Sequence, residues 1–259
     1  MICAGIDAGS RSIKAALVDT ATKAVLAMDN VDQGIDCAAL SRALLDRLAR
    51  TAGIPLDRIA CIAATGYGRA MVDVARTTIT EITCHARGVH HVAPEARMVI
   101  EIGGQDSKVL WLEPSGSVQD FAMNDRCAAG TGRFLEMVAQ RFDLPLDGLG
   151  ALAGKSKQPA VISSMCVVFA ETEIIGLLSS GTAHEDIVAG VQHAIAARVA
   201  ALAGRMVREP VVFTGGVALV SGMDKALETA LKKPVKVAPQ PQYTGALGAA
   251  LLAAKHARG

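Results

Sequence analysis

A short motif with the chemistry of a phosphate-binding turn occurs twice in the sequence, over residues 6–14 and again over residues 100–108. In each copy an apolar run enters a glycine turn and an alternating apolar run leaves it. This pattern predicts a β-hairpin whose backbone approaches a ligand closely. The residues that align between the copies are Asp7 with Glu101, Gly9 with Gly103 and Lys14 with Lys108. Two such hairpins facing each other across a cleft would hold a phosphate chain from both sides, so the duplication indicates a two-lobed nucleotide site.

The first hairpin offers three kinds of group to a nucleotide. Backbone N–H groups around the turn are expected to point at phosphate oxygens, and Lys14 would reach these oxygens as a point charge. Asp7 at the strand end is a candidate Mg²⁺ ligand, directly or through water, because hard oxygen donors suit that ion. The predicted phosphate contacts are Gly9, Ser10, Arg11, Ser12 and Lys14. The alternative is an ordinary β-hairpin with a surface lysine.

The second hairpin is predicted to hold the terminal phosphate and the attacking water. It does so with Gly103, Gly104, Gln105 and Asp106, which follow a strand, where ligand-facing groups of α/β folds collect. Either Gln105 or Asp106 would orient or deprotonate the water, and these two are the candidate catalytic residues. The alternative is a Gly-Gly bulge with an aspartate that favours turns.

Two further glycine clusters occur later in the chain. Thr214, Gly215 and Gly216 follow a short apolar strand, and glycine there lets a flat adenine or ribose approach the backbone. This cluster is therefore predicted to lie by the adenosine. The other cluster, at residues 245–248, opens the last helix and either faces the ligand or provides a close contact between helices.

Apolar periodicity and turn residues predict the elements that position these motifs. The predicted strands are Ile2–Asp7, Ser12–Asp19, Ala24–Met28, Ile59–Thr65, Arg97–Ile102, Lys108–Leu112, Ser117–Met123, Val211–Thr214 and Val235–Val237. The predicted helices are Cys37–Ala52, Thr83–Val92, Gly130–Phe142, Leu146–Gly154, Val167–Ser180, Glu185–Val207, Ser221–Leu231 and Tyr243–Ala257. Strands, helices, strands and helices in this order fit two related α/β lobes.

Composition argues against several classes of function. The chain has 259 residues, 51% of them hydrophobic, which is enough for one large domain or two small ones. One Trp, two Tyr and five Phe argue against a surface that stacks single-stranded nucleic acid. A formal charge of +1 gives no basic footprint for DNA or anionic lipid. We expect no membrane span and no signal peptide, and therefore a cytoplasmic protein whose six cysteines form no disulfides.

The glycine segments, in this order, resemble the superfamily of acetate kinases, sugar kinases and actin. Within it, longer motifs at residues 64–69, 81–86, 124–134, 163–171 and 242–248 are similar to one branch. That branch comprises the ATP-dependent activators of 2-hydroxyacyl-CoA dehydratases, with the ATPase subunits of benzoyl-CoA reductase as relatives. The resemblance covers nearly the whole chain.

The resemblance implies an α/β protein with the two-lobed actin-like (ribonuclease H-like, duplicated) ATPase fold and an interlobe nucleotide cleft. The first lobe would comprise residues 1–95 plus about 243–259, and the second would comprise residues 96–242. Gly130, Thr131 and Gly132 would line the cleft near the nucleotide.

In the family, two cysteines of each subunit bind one 4Fe-4S cluster that bridges a homodimer, and the motifs assign this role to Cys127 and Cys166. Two thiolates cannot fill the four positions of such a cluster, but two from each of two symmetric chains can. Each cysteine also precedes a predicted helix, whose N-terminus stabilises negative charge. Without the resemblance, packing in the core would be the better interpretation of both residues, as it is for Cys3, Cys37, Cys61 and Cys84.

The resemblance further implies ATP hydrolysis, with bound MgATP and ADP, that drives low-potential electron transfer to a dehydratase or a related radical CoA-thioester reductase. Ferredoxin or flavodoxin would be the electron donor, and no nucleic acid or membrane would be involved. Three alternatives remain: one ATPase subunit of a larger reductase with a non-identical sister chain, a small-molecule kinase of the pantothenate-kinase type without a cluster, and a filament-forming actin-like ATPase. A closed dimer with a bridging cluster argues against open filaments.

Overall fold

The computed structural model describes residues 1–163 and 166–257, so Ser164, Met165, Arg258 and Gly259 lie outside the described residues. Ser164 and Met165 belong to the motif at 163–171, and Arg258 and Gly259 to the predicted first lobe. The chain divides into two units. Unit 1 comprises Met1–Ala96, Leu112–Gln119 and Ala238–Gly259, and unit 2 comprises Arg97–Trp111 and Asp120–Val237.

Strands and helices are numbered here in chain order. The strands are β1 (Ile2–Ala8), β2 (Ser12–Asp19), β3 (Ala24–Asp32), β4 (Ile59–Thr65), β5 (Thr77–Thr78), β6 (Met98–Ile102), β7 (Ser107–Leu112), β8 (Val118–Asn124), β9 (Val211–Thr214) and β10 (Val235–Val237). The helices are α1 (Cys37–Ala52), α2 (Glu81–Val92), α3 (Gly132–Arg141), α4 (Gly148–Ala153), α5 (Val167–Ser179), α6 (His184–Ala203), α7 (Met223–Leu231) and α8 (Thr244–Ala253).

The sheet of unit 1 has the strand order β3-β2-β1-β4-β5. Its central strand β1 pairs antiparallel with β2 and parallel with β4. Residues Cys3 to Ala8 of β1 are all buried, because the two faces of the strand pack into different apolar clusters. Ala4 and Ile6 lie in the cluster that contains Leu44 of α1, whereas Cys3 lies with residues of α2 and α8. A strand covered on both faces has an unbroken apolar run, as residues 2–6 of β1 do.

The sheet of unit 2 has the order β10-β9-β6-β7-β8, in which β6 pairs antiparallel with β7 and parallel with β9. When this order is read from β8 to β10, each strand corresponds to the strand five numbers earlier in unit 1. The duplication that the two hairpin motifs indicate therefore extends over the whole sheet. This architecture agrees with the predicted pair of related α/β lobes.

Helix α8 packs on its neighbours through glycine contacts. A Cβ at Gly248 would lie 1.8 Å from the carbonyl oxygen of Cys84 in α2, and a Cβ at Gly88 would lie 1.9 Å from the carbonyl oxygen of Thr244. A real Cβ cannot approach a carbonyl oxygen this closely, so only glycine fits at these two positions. Of the two interpretations of residues 245–248, close helix packing is therefore correct for Gly248.

Helix α6 is, by length and composition alone, long and apolar enough to cross a membrane, whereas the sequence analysis expected no such segment. However, 61% of its apolar window is buried inside the protein. Ile187, Val191, Ile195 and Val199 all lie in the hydrophobic core of unit 2. A mostly buried core helix passes the same test, so the apolar residues of α6 are accounted for by packing.

Most element bounds differ from the sequence prediction by a few residues. β3 continues beyond Met28 to Asp32, because Asp29 and Asn30 pair with β2 although their residue types favour turns. α2 begins at Glu81, earlier than predicted, where Thr80 caps it by accepting a hydrogen bond from the Thr83 N–H. The two-residue strand β5 was not predicted, since so short a segment has no periodicity.

We expect Gly248→Ala to lower the free energy of unfolding by about 1–3 kcal/mol or more, because the added methyl group would overlap the backbone of α2. The matched control is Gly176→Ala in α5, where a Cβ would meet no atom within 4 Å. This control should raise stability by roughly 0.5–1 kcal/mol through helix propensity. Urea unfolding followed by circular dichroism measures both changes, and equal effects would contradict the packing argument.

Candidate functional site

The first hairpin holds its functional groups in the predicted register. Asp7 lies opposite Lys14 across the β1–β2 pair, and the Gly9 N–H closes the turn by donating to the Ser12 carbonyl oxygen at 3.1 Å. The Lys14 Nζ lies 3.1 Å from where a Cβ at Gly9 would stand, so the ammonium group rests against the turn. Arg11, in contrast, is directed outward and forms an ion pair with Asp32 at 3.3 Å.

Asp7 is buried, and glycines make room for its carboxylate on two sides. A Cβ at Gly66 would lie 2.6 Å from its Oδ1, and a Cβ at Gly245 would lie 2.8 Å from its Oδ2. Gly66 has φ +86° and follows Thr65, the residue that pairs with Asp7 between the parallel strands. Any larger residue at these positions would displace the carboxylate.

Two polar side chains of α2 reach the same region of unit 1. The imidazole of His85 is buried, its Nδ1 lies 2.9 Å from the Thr244 Oγ1, and its Nε2 lies 3.6 Å from the Glu81 Oε1. The Nε2 is also 3.2 Å from where a Cβ at Gly245 would stand, on the side of that glycine near Asp7. Sequence analysis did not assign Glu81, His85, Gly66 or Gly245 to the site, although all four fall in the motifs that carry the family resemblance.

The second hairpin repeats the geometry of the first. Glu101 lies opposite Lys108 across the β6–β7 pair, and the Gly103 N–H donates to the Asp106 carbonyl oxygen at 3.0 Å. The predicted alignment of the two motifs is therefore confirmed residue by residue. Lys108 differs from its counterpart in being almost fully buried, with its Nζ 2.9 Å from the Glu101 Oε2 and 2.6 Å from the Asp106 Oδ2.

The two candidate catalytic residues have different surroundings. Gln105 is exposed at the tip of the turn. Asp106 is 4% exposed, and its carboxylate is ion-paired with Lys108. Gln105 is thus open to solvent, whereas Asp106 is buried and held by an ion pair.

Two other predicted segments pack against this turn within unit 2. The N–H groups of Gly132 and Arg133 donate to the carbonyl oxygens of Gly103 and Gly104 at 2.8 and 2.9 Å. Gly215, with φ +91°, places its Cβ position 2.4 Å from the Ile102 carbonyl oxygen and 2.7 Å from the Glu101 Oε1.

The remaining residues of these two segments are Thr131, Thr214 and Gly216. The Thr131 hydroxyl caps α3 by accepting from the Arg133 N–H at 3.3 Å. Thr214 is buried, whereas Gly216 is exposed with open space around it. The predicted contact of the 214–216 segment with adenosine stays a prediction.

Gly215 in unit 2 has a counterpart in unit 1, and the sequence alone could have identified it. Thr65-Gly66 follows β4 in unit 1 as Thr214-Gly215 follows β9 in unit 2, and each threonine pairs with the acidic residue of its own hairpin. The repeated Thr-Gly after an apolar strand is the signal that would have found Gly66.

Cys127 is partly buried and its backbone is held by one side chain. The Asn124 amide donates to the Cys127 carbonyl oxygen at 2.8 Å and accepts from its N–H at 3.1 Å. A short 3₁₀ turn, Ala128–Gly130, follows, and α3 begins only at Gly132. The predicted helix does follow Cys127, but it begins at Gly132 and not at Gly130, because Thr131 is the residue that caps α3.

Cys166 is exposed and occupies the N-cap position of α5, as predicted. Two acidic residues further along α5, Glu171 and Glu173, both contact other side chains or backbone. Glu171 pairs with Arg141, and Glu173 accepts hydrogen bonds from the N–H and hydroxyl of Ser163 at 2.9 and 2.7 Å. One acid is thus held by an ion pair and the other by hydrogen bonds.

The other four cysteines, Cys3, Cys37, Cys61 and Cys84, are free and buried, as the sequence predicted. Burial raises the pKa of the Cys84 thiol to about 12; a hydrogen bond with Thr65 opposes this shift, and the Asp7 and Glu81 carboxylates add to it. Burial also raises the pKa of Cys3 and of Cys61. The two cysteines that are not fully buried, Cys127 and Cys166, are thus the two that the resemblance assigns to the cluster.

We expect iodoacetamide at pH 8 to alkylate Cys127 and Cys166 in the folded, metal-free protein and to leave the four buried thiols unmodified, because the reagent reaches only cysteines that are open to solvent. Peptide mass spectrometry identifies the labelled residues, and a urea-unfolded sample should carry label on all six cysteines. Rapid labelling of Cys84 in the folded protein would contradict the burial described above.

Comparison with known proteins places this geometry in a family. The activator of lactoyl-CoA dehydratase from Anaerotignum propionicum is 44% identical over 98% of this chain and 97% of that protein. One of the subunits of benzoyl-CoA reductase from Thauera aromatica is 33% identical over 96% of this chain and 92% of its own length. The solved structure of the activator of the 2-hydroxyisocaproyl-CoA dehydratase from Clostridium difficile, with bound ADPNP, is 40% identical. It superimposes with a TM-score of 0.93 over 100% of this chain and 96% of that one.

The family model of the BadF/BadG/BcrA/BcrD ATPases matches residues 4–253, which include both hairpins and both accessible cysteines. The chain has the actin-like ATPase fold and belongs to the BadF/BadG/BcrA/BcrD ATPase family.

Proposed function

We propose that this chain is the cytoplasmic ATP-dependent activator of a 2-hydroxyacyl-CoA dehydratase, and that it works as a homodimer. The observation that carries the proposal is that one chain combines two phosphate-type hairpins in matching register with two accessible thiols. The relatives named as dehydratase activators, at 40–44% identity over nearly the whole chain, support the same assignment.

In this proposal the hairpins bind MgATP. Gly9, Ser10, Ser12 and Lys14 contact the phosphates, and Asp7 holds Mg²⁺ directly or through water, because a buried carboxylate suits that ion. Arg11 would have to leave Asp32 to take part, which costs little at an exposed ion pair. Gly103 to Asp106 hold the terminal phosphate and the attacking water.

Cys127 and Cys166 would hold half of a 4Fe-4S cluster, which supplies low-potential one-electron transfer when bound. The described residues fit this group. Cys166 is exposed and Cys127 is only partly buried, the backbone of Cys127 is fixed by Asn124, and Cys166 stands at the N-cap of α5, where a helix terminus stabilises negative charge. One chain supplies two ligands, so a partner subunit must supply the other two.

A second copy of the chain has an apolar surface available beside Cys166. Val168 and Phe169 in the first turn of α5 are 68% and 69% exposed, and Ile175 is 42% exposed. An isologous dimer would bury this face and bring the cysteines of both chains together on the symmetry axis. Large contiguous apolar patches on a protein surface mark interaction sites.

The nucleotide turn is joined to Cys127 by a short run of hydrogen-bonded backbone. Gly132 bonds to the Gly103 carbonyl oxygen, Gly130 lies against the Asn124 amide, and Asn124 holds Cys127. We propose that this run transmits the state of the nucleotide to the cysteine. A shift of this backbone on nucleotide binding or hydrolysis would change the surroundings of the cysteine and the surface that a dehydratase contacts. Ferredoxin or flavodoxin would be the electron donor.

A second candidate function follows from the similarity to the benzoyl-CoA reductase of Thauera aromatica. In that case the chain pairs with a non-identical sister chain, which would contribute the other two thiolates. Purified alone, such a chain would remain a monomer, whereas the proposed activator forms a dimer.

Iron analysis after anaerobic purification tests the cluster. The wild type should contain roughly four irons per dimer with visible absorption, and Cys127→Ser and Cys166→Ser should lose both. The matched control is Cys37→Ala, because Cys37 is buried at the start of α1. A colourless, iron-free wild type that binds ATP and phosphorylates a hydroxyl substrate would replace this proposal with a kinase.

The activating role is tested by adding the protein to a purified 2-hydroxyacyl-CoA dehydratase with ATP and a chemical reductant. We expect dehydration only when ATP is present and hydrolysable, since hydrolysis drives the transfer. Replacing ATP with ADPNP, or wild type with Cys166→Ser, should abolish dehydration. Equal dehydration with and without ATP would contradict the proposed role.

A further inference from the structure

The two lysines that align in the duplicated motif are in different environments. Lys14 is partly exposed and its ammonium group rests against the Gly9 turn. Lys108 is 1% exposed and its ammonium group lies between two carboxylates. The same residue at the same strand position is thus available to a phosphate in one hairpin and enclosed in the other.

The enclosing group is a buried ionic triad. Lys108 Nζ donates to the Glu101 Oε2 at 2.9 Å and to the Asp106 Oδ2 at 2.6 Å, and all three side chains are nearly inaccessible. With every member ionised the triad carries a net charge of −1, from two carboxylates and one ammonium. A buried triad of this kind persists only if its geometry is fixed by hydrogen bonds.

The carboxylate oxygens that do not bond Lys108 are directed to the glycine turn. Asp106 Oδ1 lies 2.8 Å and Glu101 Oε1 3.3 Å from where a Cβ at Gly103 would stand. Lys108 therefore does two things: it takes one oxygen of each carboxylate, and it fixes the other oxygen beside the backbone of the turn.

We propose that Lys108 is a positioning residue for ATP hydrolysis. It holds Asp106 so that Oδ1 accepts a hydrogen bond from the attacking water, while Lys14 acts on the nucleotide itself. This inference rests on the proposed ATPase function and assigns different tasks to the two copies of one motif.

Hydrolysis joins a water to the terminal phosphate and releases ADP. The water oxygen forms a bond to the terminal phosphorus, and the bond from that phosphorus to the bridging oxygen breaks, leaving its electron pair on ADP. Both protons of the water leave with the phosphate product, as dihydrogen phosphate. Asp106 orients the water as a hydrogen-bond acceptor, and Lys108 touches neither water nor phosphate.

Because the two lysines have different roles, their replacement is expected to change different kinetic constants. Lys108→Met should lower kcat for ATP hydrolysis roughly 100-fold, the size expected when a water-orienting group is lost, with KM for MgATP changed less than about threefold. Lys14→Met should mainly raise KM and weaken binding of a fluorescent ATP analogue, because it removes a phosphate contact. Steady-state kinetics and equilibrium titration measure both quantities.

Lys108→Met leaves two buried carboxylates without their counter-ion and can therefore unfold the protein. The double variant Glu101→Gln/Lys108→Met restores the net charge of −1 without the ammonium group, and circular dichroism verifies its fold. It should retain nucleotide binding and still have the low kcat. Normal kcat in a folded double variant, or a mainly raised KM, would overturn the inference.

The outcome separates this inference from the function on which it rests. A wild type that binds ATP but does not hydrolyse it contradicts both. An active wild type in which the two lysine variants show the same kinetic change contradicts the positioning role of Lys108 alone.

Discussion

The site depends on burying a carboxylate at the end of the central strand of each sheet. Asp7 and Glu101 are both nearly inaccessible, and burial of a charged group is costly unless it is paired or binds a cation. Glycine makes the arrangement sterically possible: Gly66 and Gly215 follow the neighbouring parallel strands, and each stands where a Cβ would strike the carboxylate. The loop conformations, the strand register and the position of the lysines follow from this requirement.

Duplication of this scaffold allowed its two copies to diverge. Sheet order, turn hydrogen bond and Thr-Gly segment are the same in unit 1 and unit 2. The acidic residues around the lysine differ between the copies: Glu101 stands where the first copy has Asp7, and Asp106 stands where it has Ser12. Both carboxylates bond Lys108, so these two differences accompany the change from a lysine that can reach a ligand to one enclosed by ion pairs.

The sequence predicted the local geometry well and the tertiary surroundings poorly. The bounds of β2, α1 and β4 were correct, because glycine, proline and apolar spacing act within a few residues. The hairpin register followed from aligning the copies. That His85 lies near Asp7 was not predicted, since this contact depends on how α2 and α8 pack on β1. Identifying Cys127 and Cys166 required the family resemblance, because isolated cysteines have no ligand spacing.

The position of Cys127 lets the proposed coupling between the second hairpin turn and the cysteine work without a long chain of side chains. Only the segment from Cys127 to Gly132 separates the two, and it is held at one end by Asn124 and at the other by the Gly103 carbonyl oxygen. The 3₁₀ turn within it has poorer hydrogen-bond geometry than an α-helix and deforms more easily. A late start of α3 therefore leaves a deformable connector where a direct helix would have given a rigid one.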